Sequence, residues 1–250
     1  MNDQEQQARK DIVDIGRRMY EHRFVAANDG NLSIRMDSGD IIATPTGVSK
    51  GFMTEESLVR LNRQGVVIGD GRVSTEIKMH LGVYRARADV RAVVHAHPPI
   101  STAFSIAEIP LNPHLLAEVV VGLGAIPVAE YQPPSTQELA DTVQHYISTN
   151  NAVLMAHHGA ITVGETLEQA YFRMETVEHF AHINYLCHQL GGAKGLPPEE
   201  IKRLIGMRSL YGIKSPGRDP VKHNGSEDRA VMVEAIVREV LARVAGAGPA

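Results

Sequence analysis

Apolar positions recur along the chain at two different spacings, and the change from one to the other marks out the elements. Ile12, Ile15 and Met19 sit at helical spacing, so residues 4–24 are expected to form an amphipathic helix. Residues 31–36 and 41–44 read as short strands around the turn-like Asp37-Ser38-Gly39-Asp40, and 58–62 with 66–68 as a further hairpin. Ile77, Leu81 and Tyr84 place one apolar side on a helix over 75–88. The β-branched run at 92–94 predicts a strand that Pro98-Pro99 stops, with short helices expected at 101–107 and 115–121. Then come a strand at 125–129, a helix at 136–148, a buried strand at 152–155 and its continuation at 161–163. A long helix follows over 167–190, ended by Gly191-Gly192, and another over 198–211. Strands mixed with helices in this way predict an α/β sandwich with a largely antiparallel sheet.

The last part of the chain has a different pattern. Residues 214–226 are rich in Pro, Gly and charge and read as a linker. Val233, Ile236, Val237, Val240, Leu241 and Val244 then return to the spacing of one apolar helix face, giving an amphipathic helical tail over 227–250. Residues 1–213 are expected to form the main domain, because 250 residues suit a single core.

Composition narrows the function. No apolar run approaches the roughly 18 residues that span a bilayer, so no membrane partner is expected. The opening residues lack a signal peptide's apolar stretch, and the single Cys187 fits a reducing cytoplasm. A net charge of −4 gives no electrostatic reason to bind nucleic acid. The chain does hold 12 histidines, and imidazole is the commonest protein metal ligand.

Two histidine patterns carry chemistry. His95 and His97 are two apart at the end of a strand, so both imidazoles can reach one ion. A catalytic zinc takes three protein ligands and keeps a fourth position open. The third ligand is expected from His157-His158-Gly159. Adjacent strand residues face opposite ways, so one of that pair should bind, and spacing alone leaves open which. Three short polar segments, two of them with glycine, form a second pattern: Gly30-Asn31, Thr46-Gly47 and Ser74-Thr75. Singly they are two tight turns and an N-cap. Ser74-Thr75 stands before a helix, where unpaired N–H groups suit a phosphate.

Taken together, GNLSIR, TPTG, STEIKMH, AVVHAHPP and LMAHHGAITVG, in this order over residues 7–213, resemble the class II aldolase/adducin family, and especially its L-fuculose-1-phosphate aldolase branch. The resemblance implies a central, mainly antiparallel sheet flanked by helices and a homotetramer with active sites between subunits. It implies His95, His97 and His158 as metal ligands and Glu76 as a catalytic carboxylate. The substrate phosphate would lie around Gly30, Asn31, Thr46, Gly47, Ser74 and Thr75. Tyr211, in a Tyr-Gly pair, corresponds to a tyrosine that reaches the neighbouring subunit's site. A further family tyrosine near 109–116 has no counterpart here, since Ile109-Pro110-Leu111-Asn112-Pro113-His114 fills that stretch. The aldehyde half of the substrate is left undetermined by that departure.

The reaction implied is zinc-dependent cleavage of a ketose 1-phosphate to dihydroxyacetone phosphate and an aldehyde. Manganese and cobalt suit the same three imidazoles. Glu76 is expected to carry a raised pKa for its proton transfer. Epimerase, dehydratase and decarboxylase chemistry share such a metal site, although the epimerases carry Asp at the Glu76 position. An adducin-head-like interaction module is the rival of another class, and the complete histidine set argues against it. The tail resembles encapsulation peptides, which gives a second expectation: docking to a bacterial microcompartment shell.

Overall fold

The computed structural model describes residues 2–211 and 213. The linker and helical tail expected at 214–226 and 227–250 lie outside the described residues.

The first helix, α1 (Asp3–Glu21), is capped by the Asn2 side chain, which accepts from the Glu5 N–H, and it buries Ile12, Ile15 and Met19 as their spacing requires. An antiparallel hairpin follows, β1 (Asn31–Arg35) and β2 (Ile41–Ala43), and then β3 (Val59–Leu61) and β4 (Val67–Ile68). Helix α2 (Ile77–Ala86) leads to β5 (Ala92–Ala96), α3 (Pro99–Ile106), α4 (Ala117–Gly122), β6 (Val128–Ala129) and α5 (Gln137–Ile147). The chain continues through β7 (Ala152–Met155), β8 (Gly159–Gly164), α6 (Leu167–Gln189) and α7 (Pro198–Met207). The eight strands form one sheet in the order β4-β3-β2-β1-β5-β8-β7-β6. Only β6 and β7 run parallel, so the expected mainly antiparallel sheet flanked by helices is what is observed.

The sheet separates two apolar cores. On one face α1, α3 and α6 pack over Leu32, Val94 and Ala160, with Tyr171, Met174 and Phe180 of α6 fully buried. On the other, Met79 and Val83 of α2 and Leu139, Val143 and Ile147 of α5 cover Val93, Val153 and Ile161. Strand alternation then assigns the polar residues. In β5, Ala92, Val94 and Ala96 face the α6 side, so His95 shares the α2 face with Val93. In β1, Leu32 and Ile34 face the α6 side, so Asn31 and Ser33 share that α2 face. The register sets Asn31 directly opposite His95.

Several elements differ from expectation. Helix α2 starts at Ile77 rather than 75, because Ser74 closes a turn by accepting the Glu76 N–H on Oγ and the Ile77 N–H on its carbonyl. The strand expected at 125–129 is confined to Val128–Ala129, since Ile126 instead bridges to Leu111 across the chain. The helix expected at 115–121 begins at Ala117 as α4, with a separate 3₁₀ turn, Pro113–Leu115, ahead of an extended Leu116. The helix expected through 211 ends at Met207 and tightens into a 3₁₀ turn, Arg208–Tyr211. Among the described residues no helix is long and apolar enough to cross a membrane.

Candidate metal centre

Strand β5 delivers His95 to the α2 face with its side chain fully buried, and His97 follows one residue beyond the strand. His157 and His158 are not strand residues. They occupy the tight turn between β7 and β8, where His157 takes a positive φ of 55° and points outward. The His157 side chain is 51% exposed and meets Glu108 at 3.8 Å, whereas the His158 side chain is 9% exposed. The turn backbone, not strand alternation, therefore separates the two. His95, His97 and His158 come together, with one ring nitrogen of each within 4.8 Å of the others.

This approach requires Gly159. A Cβ there would stand 2.5 Å from the Ala96 carbonyl oxygen and 2.6 Å from Cδ2 of His97. Gly30 plays the matching part on the other side, with φ at 72° and a built Cβ only 2.9 Å from the His95 carbonyl oxygen.

Glu76 completes the cluster. Its Oε1 lies 3.1 Å from Nε2 of His158, and its Oε2 lies 3.3 Å from Nε2 of His95. Burial by itself would raise the Glu76 carboxyl, but the charges and hydrogen bonds of His95 and His158 outweigh it and hold the group well below the usual carboxylate range. The raised pKa expected for Glu76 is thus reversed, because the imidazoles surround it more closely than any apolar wall does. His95, though its burial disfavours charge, is raised by Glu76, while burial, with His95 and His158 alongside, pushes His97 down to about 3.

The donor set fits a divalent ion. Nδ1 of His95 donates to the Ala160 carbonyl at 2.9 Å, and Nδ1 of His97 faces Asp29 Oδ2 at 3.6 Å. Nε2 of His95 and Nε2 of His97 stand 3.1 Å apart, so both rings turn a nitrogen toward the same point, where a cation can take both. Metal–nitrogen bonds of about 2.1 Å in a tetrahedron give ligand separations of about 3.4 Å, close to the 3.1 Å between the His95 and His97 nitrogens, with the triad as a whole within 4.8 Å.

The segments expected around phosphate converge beside this centre. The Thr44 N–H donates to the Leu32 carbonyl, the Thr46 N–H to the Arg72 carbonyl and the Ser74 N–H to the Thr44 carbonyl, which draws Gly30-Asn31, Thr46-Gly47 and Ser74-Thr75 onto adjoining backbone. The Asn31 side chain is already engaged: it donates to Glu76 Oε2 at 2.7 Å. Thr75 Oγ1 shares a 2.7 Å hydrogen bond with Ser135 Oγ. The backbone of Tyr211 ends the 3₁₀ turn, and its side chain lies outside the described residues. Glu118, His179, His182 and His188 are not part of the cluster. Sequence reasoning missed the buried Lys50, the Asp29 carboxylate behind His97, and the Asn31–Glu76 contact. The 45-residue separation of Asn31 and Glu76 hides that contact until the fold is known.

Residues 10–185 match the family model described as Class II Aldolase and Adducin N-terminal domain. An L-fuculose phosphate aldolase of Methanococcus maripaludis is 33% identical over 180 residues, 72% of this chain and 97% of that one. A 3-oxo-tetronate 4-phosphate decarboxylase of Pectobacterium atrosepticum is 31% identical over 190 residues, 73% of this chain and 85% of that one. The crystal structure of the L-fuculose-1-phosphate aldolase from Thermus thermophilus superposes with a TM-score of 0.66 at 32% identity, covering 75% of this chain and 97% of that chain. With the fold, the histidine triad and these likenesses in agreement, the chain belongs to the class II aldolase and adducin N-terminal domain family, as one of its enzymes.

Proposed function

We propose that the chain cleaves a ketose 1-phosphate, L-fuculose 1-phosphate or a related deoxy-pentulose or hexulose 1-phosphate, into dihydroxyacetone phosphate and an aldehyde. His95, His97 and His158 would hold the metal, zinc by preference, with manganese and cobalt also suited to three imidazoles. A divalent ion held there supplies Lewis acidity to the oxygens next to the breaking bond. The observation that carries the reading is the contact of Glu76 with His158 at 3.1 Å and with His95 at 3.3 Å. It sets an ionised carboxylate beside the point where the three imidazoles converge.

In the cleavage direction the C3–C4 bond breaks, its electron pair stays on C3 next to the C2 carbonyl, and the C4 hydroxyl gives up its proton as the aldehyde forms. Glu76, ionised at rest, would accept the proton released at the C4 hydroxyl and deliver it to C3, held for that task by the Asn31 amide. Tyr211 of a neighbouring subunit serves the C4 oxygen, which ties activity to a homotetramer. Gly30, Asn31, Thr46, Gly47, Ser74 and Thr75 line the phosphate end, Asn31 through its backbone because its side-chain amide serves Glu76. The cytoplasm is the compartment that follows, and residues 227–250 would dock the tetramer to a microcompartment shell. Deleting 222–250 with no change in shell recruitment would remove that last element alone.

The decarboxylase relative supports a second reading on the same residues. Loss of carbon dioxide from a phosphorylated 3-oxo acid also leaves an electron pair next to a carbonyl. The deciding experiment offers the enzyme L-fuculose 1-phosphate, related pentulose 1-phosphates and 3-oxo-tetronate 4-phosphate, each with and without chelator. Chelator-sensitive aldehyde and dihydroxyacetone phosphate release from a ketose 1-phosphate supports the aldolase. Carbon dioxide release from the oxo acid alone transfers the assignment to the decarboxylase, and no turnover of any of the three overturns both.

A further inference from the structure

Lys50 is 2% exposed, one of the largest fully buried side chains, and charged residues are almost never buried without a partner of opposite charge. Its Nζ donates to the Asn28 carbonyl at 2.8 Å and to the Val48 carbonyl at 2.7 Å. Both partners are neutral, and among the described residues no carboxylate lies within ion-pair distance of Nζ. The ammonium has three donors, so one remains beyond these two bonds. Asn28 lies two residues before Gly30-Asn31, and Val48 comes directly after Thr46-Gly47. Lys50 therefore ties together the loop that leads into Gly30-Asn31 and the loop of Thr46-Gly47, and Asn31 in turn reaches Glu76. A Cβ built on Gly47 would meet nothing within 4 Å among the described residues, which leaves the outer side of that loop open to a ligand.

We propose that Lys50 is the cation of the substrate-phosphate pocket, a buried ammonium whose missing counter-charge is the phosphate group itself. The proposal rests on the reading that the substrate carries a phosphate. It adds to that reading the one full positive charge that the hydroxyl and backbone groups of the other phosphate-end residues lack. An ammonium buried among carbonyls is costly in the free protein and is compensated when a phosphate arrives, so the charge favours phosphorylated over unphosphorylated ligands. Burial lowers the Lys50 ammonium, and Asp29 and Glu76 lie near enough to oppose that loss of a proton in part, which keeps Lys50 within reach of the catalytic carboxylate's field.

The test titrates full-length, metal-loaded protein with inorganic phosphate and with dihydroxyacetone phosphate, comparing wild type with Lys50→Gln, Lys50→Met and Lys50→Arg. Gln can keep a donor for one loop carbonyl without the charge, so its effect separates charge from mere cross-linking. Both uncharged variants should weaken phosphate binding by roughly 10- to 100-fold, as expected for a lost hydrogen bond to a charged group. Lys50→Arg should recover part of the affinity, and bound metal should stay at the wild-type level in all three. Phosphate affinity of Lys50→Gln within about 2-fold of wild type overturns the proposal and leaves the ketose-phosphate reading intact. If wild type binds neither phosphate nor dihydroxyacetone phosphate, the phosphate reading itself is lost. Should neither uncharged variant fold, isotope-labelled lysine in wild type decides: the Nζ resonance of Lys50 must move when phosphate is added, and an unmoved resonance overturns the proposal.

Discussion

Asn31 donates its side-chain amide to Glu76 Oε2 at 2.7 Å while its Oδ1 lies 2.5 Å from Nε2 of His80. A carboxylate only accepts, so the amide nitrogen must face Glu76 and the amide oxygen must face His80. Nε2 of His80 is then the donor, and burial, which pushes His80 down to about 3, keeps the ring neutral with Nδ1 as acceptor. Ser33 Oγ donates to that Nδ1 at 2.7 Å and in turn receives the Tyr84 hydroxyl at 2.7 Å. Glu76 at the N-cap of α2, and His80 and Tyr84 within it, stand four apart, which brings all three to the β1 face. The ionised Glu76 thus sets the direction of every hydrogen bond in the row.

Breaking this row should slow turnover without emptying the metal site. His80→Leu is expected to lower kcat by about 10- to 100-fold, the usual effect of an outer-shell partner, with bound metal retained. Tyr84→Phe, at the far end, should cost less. Steady-state kinetics with metal analysis on the same samples check this, and a His80→Leu enzyme with wild-type kcat would count against it.

The two turn histidines should behave oppositely. His158→Ala removes a nitrogen from the triad and should weaken metal binding by more than about 100-fold, beyond what outer-shell changes cause. His157→Ala removes an exposed ring paired only loosely with Glu108 and should leave metal content unchanged. Elemental analysis of both proteins after dialysis gives the answer directly.

Much of this was legible in the sequence. Hydrophobic spacing marked α1 to within a few residues because Ile12, Ile15 and Met19 bury one apolar stripe, Gly191-Gly192 marked the end of α6, and the His95 and His97 spacing announced a shared face. Boundaries failed where local hydrogen bonds overrode spacing: Ser74 delays α2, and an extended Leu116 splits the helix expected from 115. Strand alternation was the wrong argument for His157 and His158, since a positive-φ turn decides which one faces inward. Lys50 was invisible as a buried cation because it follows a polar, Pro- and Gly-containing stretch, and its close approach to Gly16 of α1 exists only in the folded chain.

Gly159→Ala should destabilise the fold and disturb the site together. The added methyl would strike the Ala96 carbonyl, which is fixed in the β5–β8 ladder, and the His97 ring. Overpacking of this kind costs roughly 1–3 kcal/mol. Urea denaturation of the chelated protein measures the fold term, and metal affinity measures the displacement of His97. Unchanged values in both would show that the turn yields more easily than its contacts imply.

Lys50 gives a pH dependence of stability whose sign is fixed by its burial. Burial lowers the ammonium from 10.5 to about 8, against the opposing pull of Asp29 and Glu76. Below pH 8 the group is protonated in both folded and unfolded chains, and the cost of burying the charge is constant. Between about 8 and 10.5 the unfolded chain binds more protons, so ligand-free stability should rise with pH, by at most about 1.4 kcal/mol per unit. Above that window the contribution is complete. Tyr84 and Tyr171 act in the other direction, because burial raises both phenols and their stabilisation is lost once unfolded tyrosines ionise near 10. The comparison is therefore wild type against Lys50→Met by urea unfolding from about pH 7.5 to 9.5, below the tyrosine range. Wild type should gain on the variant across that interval, and parallel curves would mean that Lys50 does not carry a buried charge in the free protein.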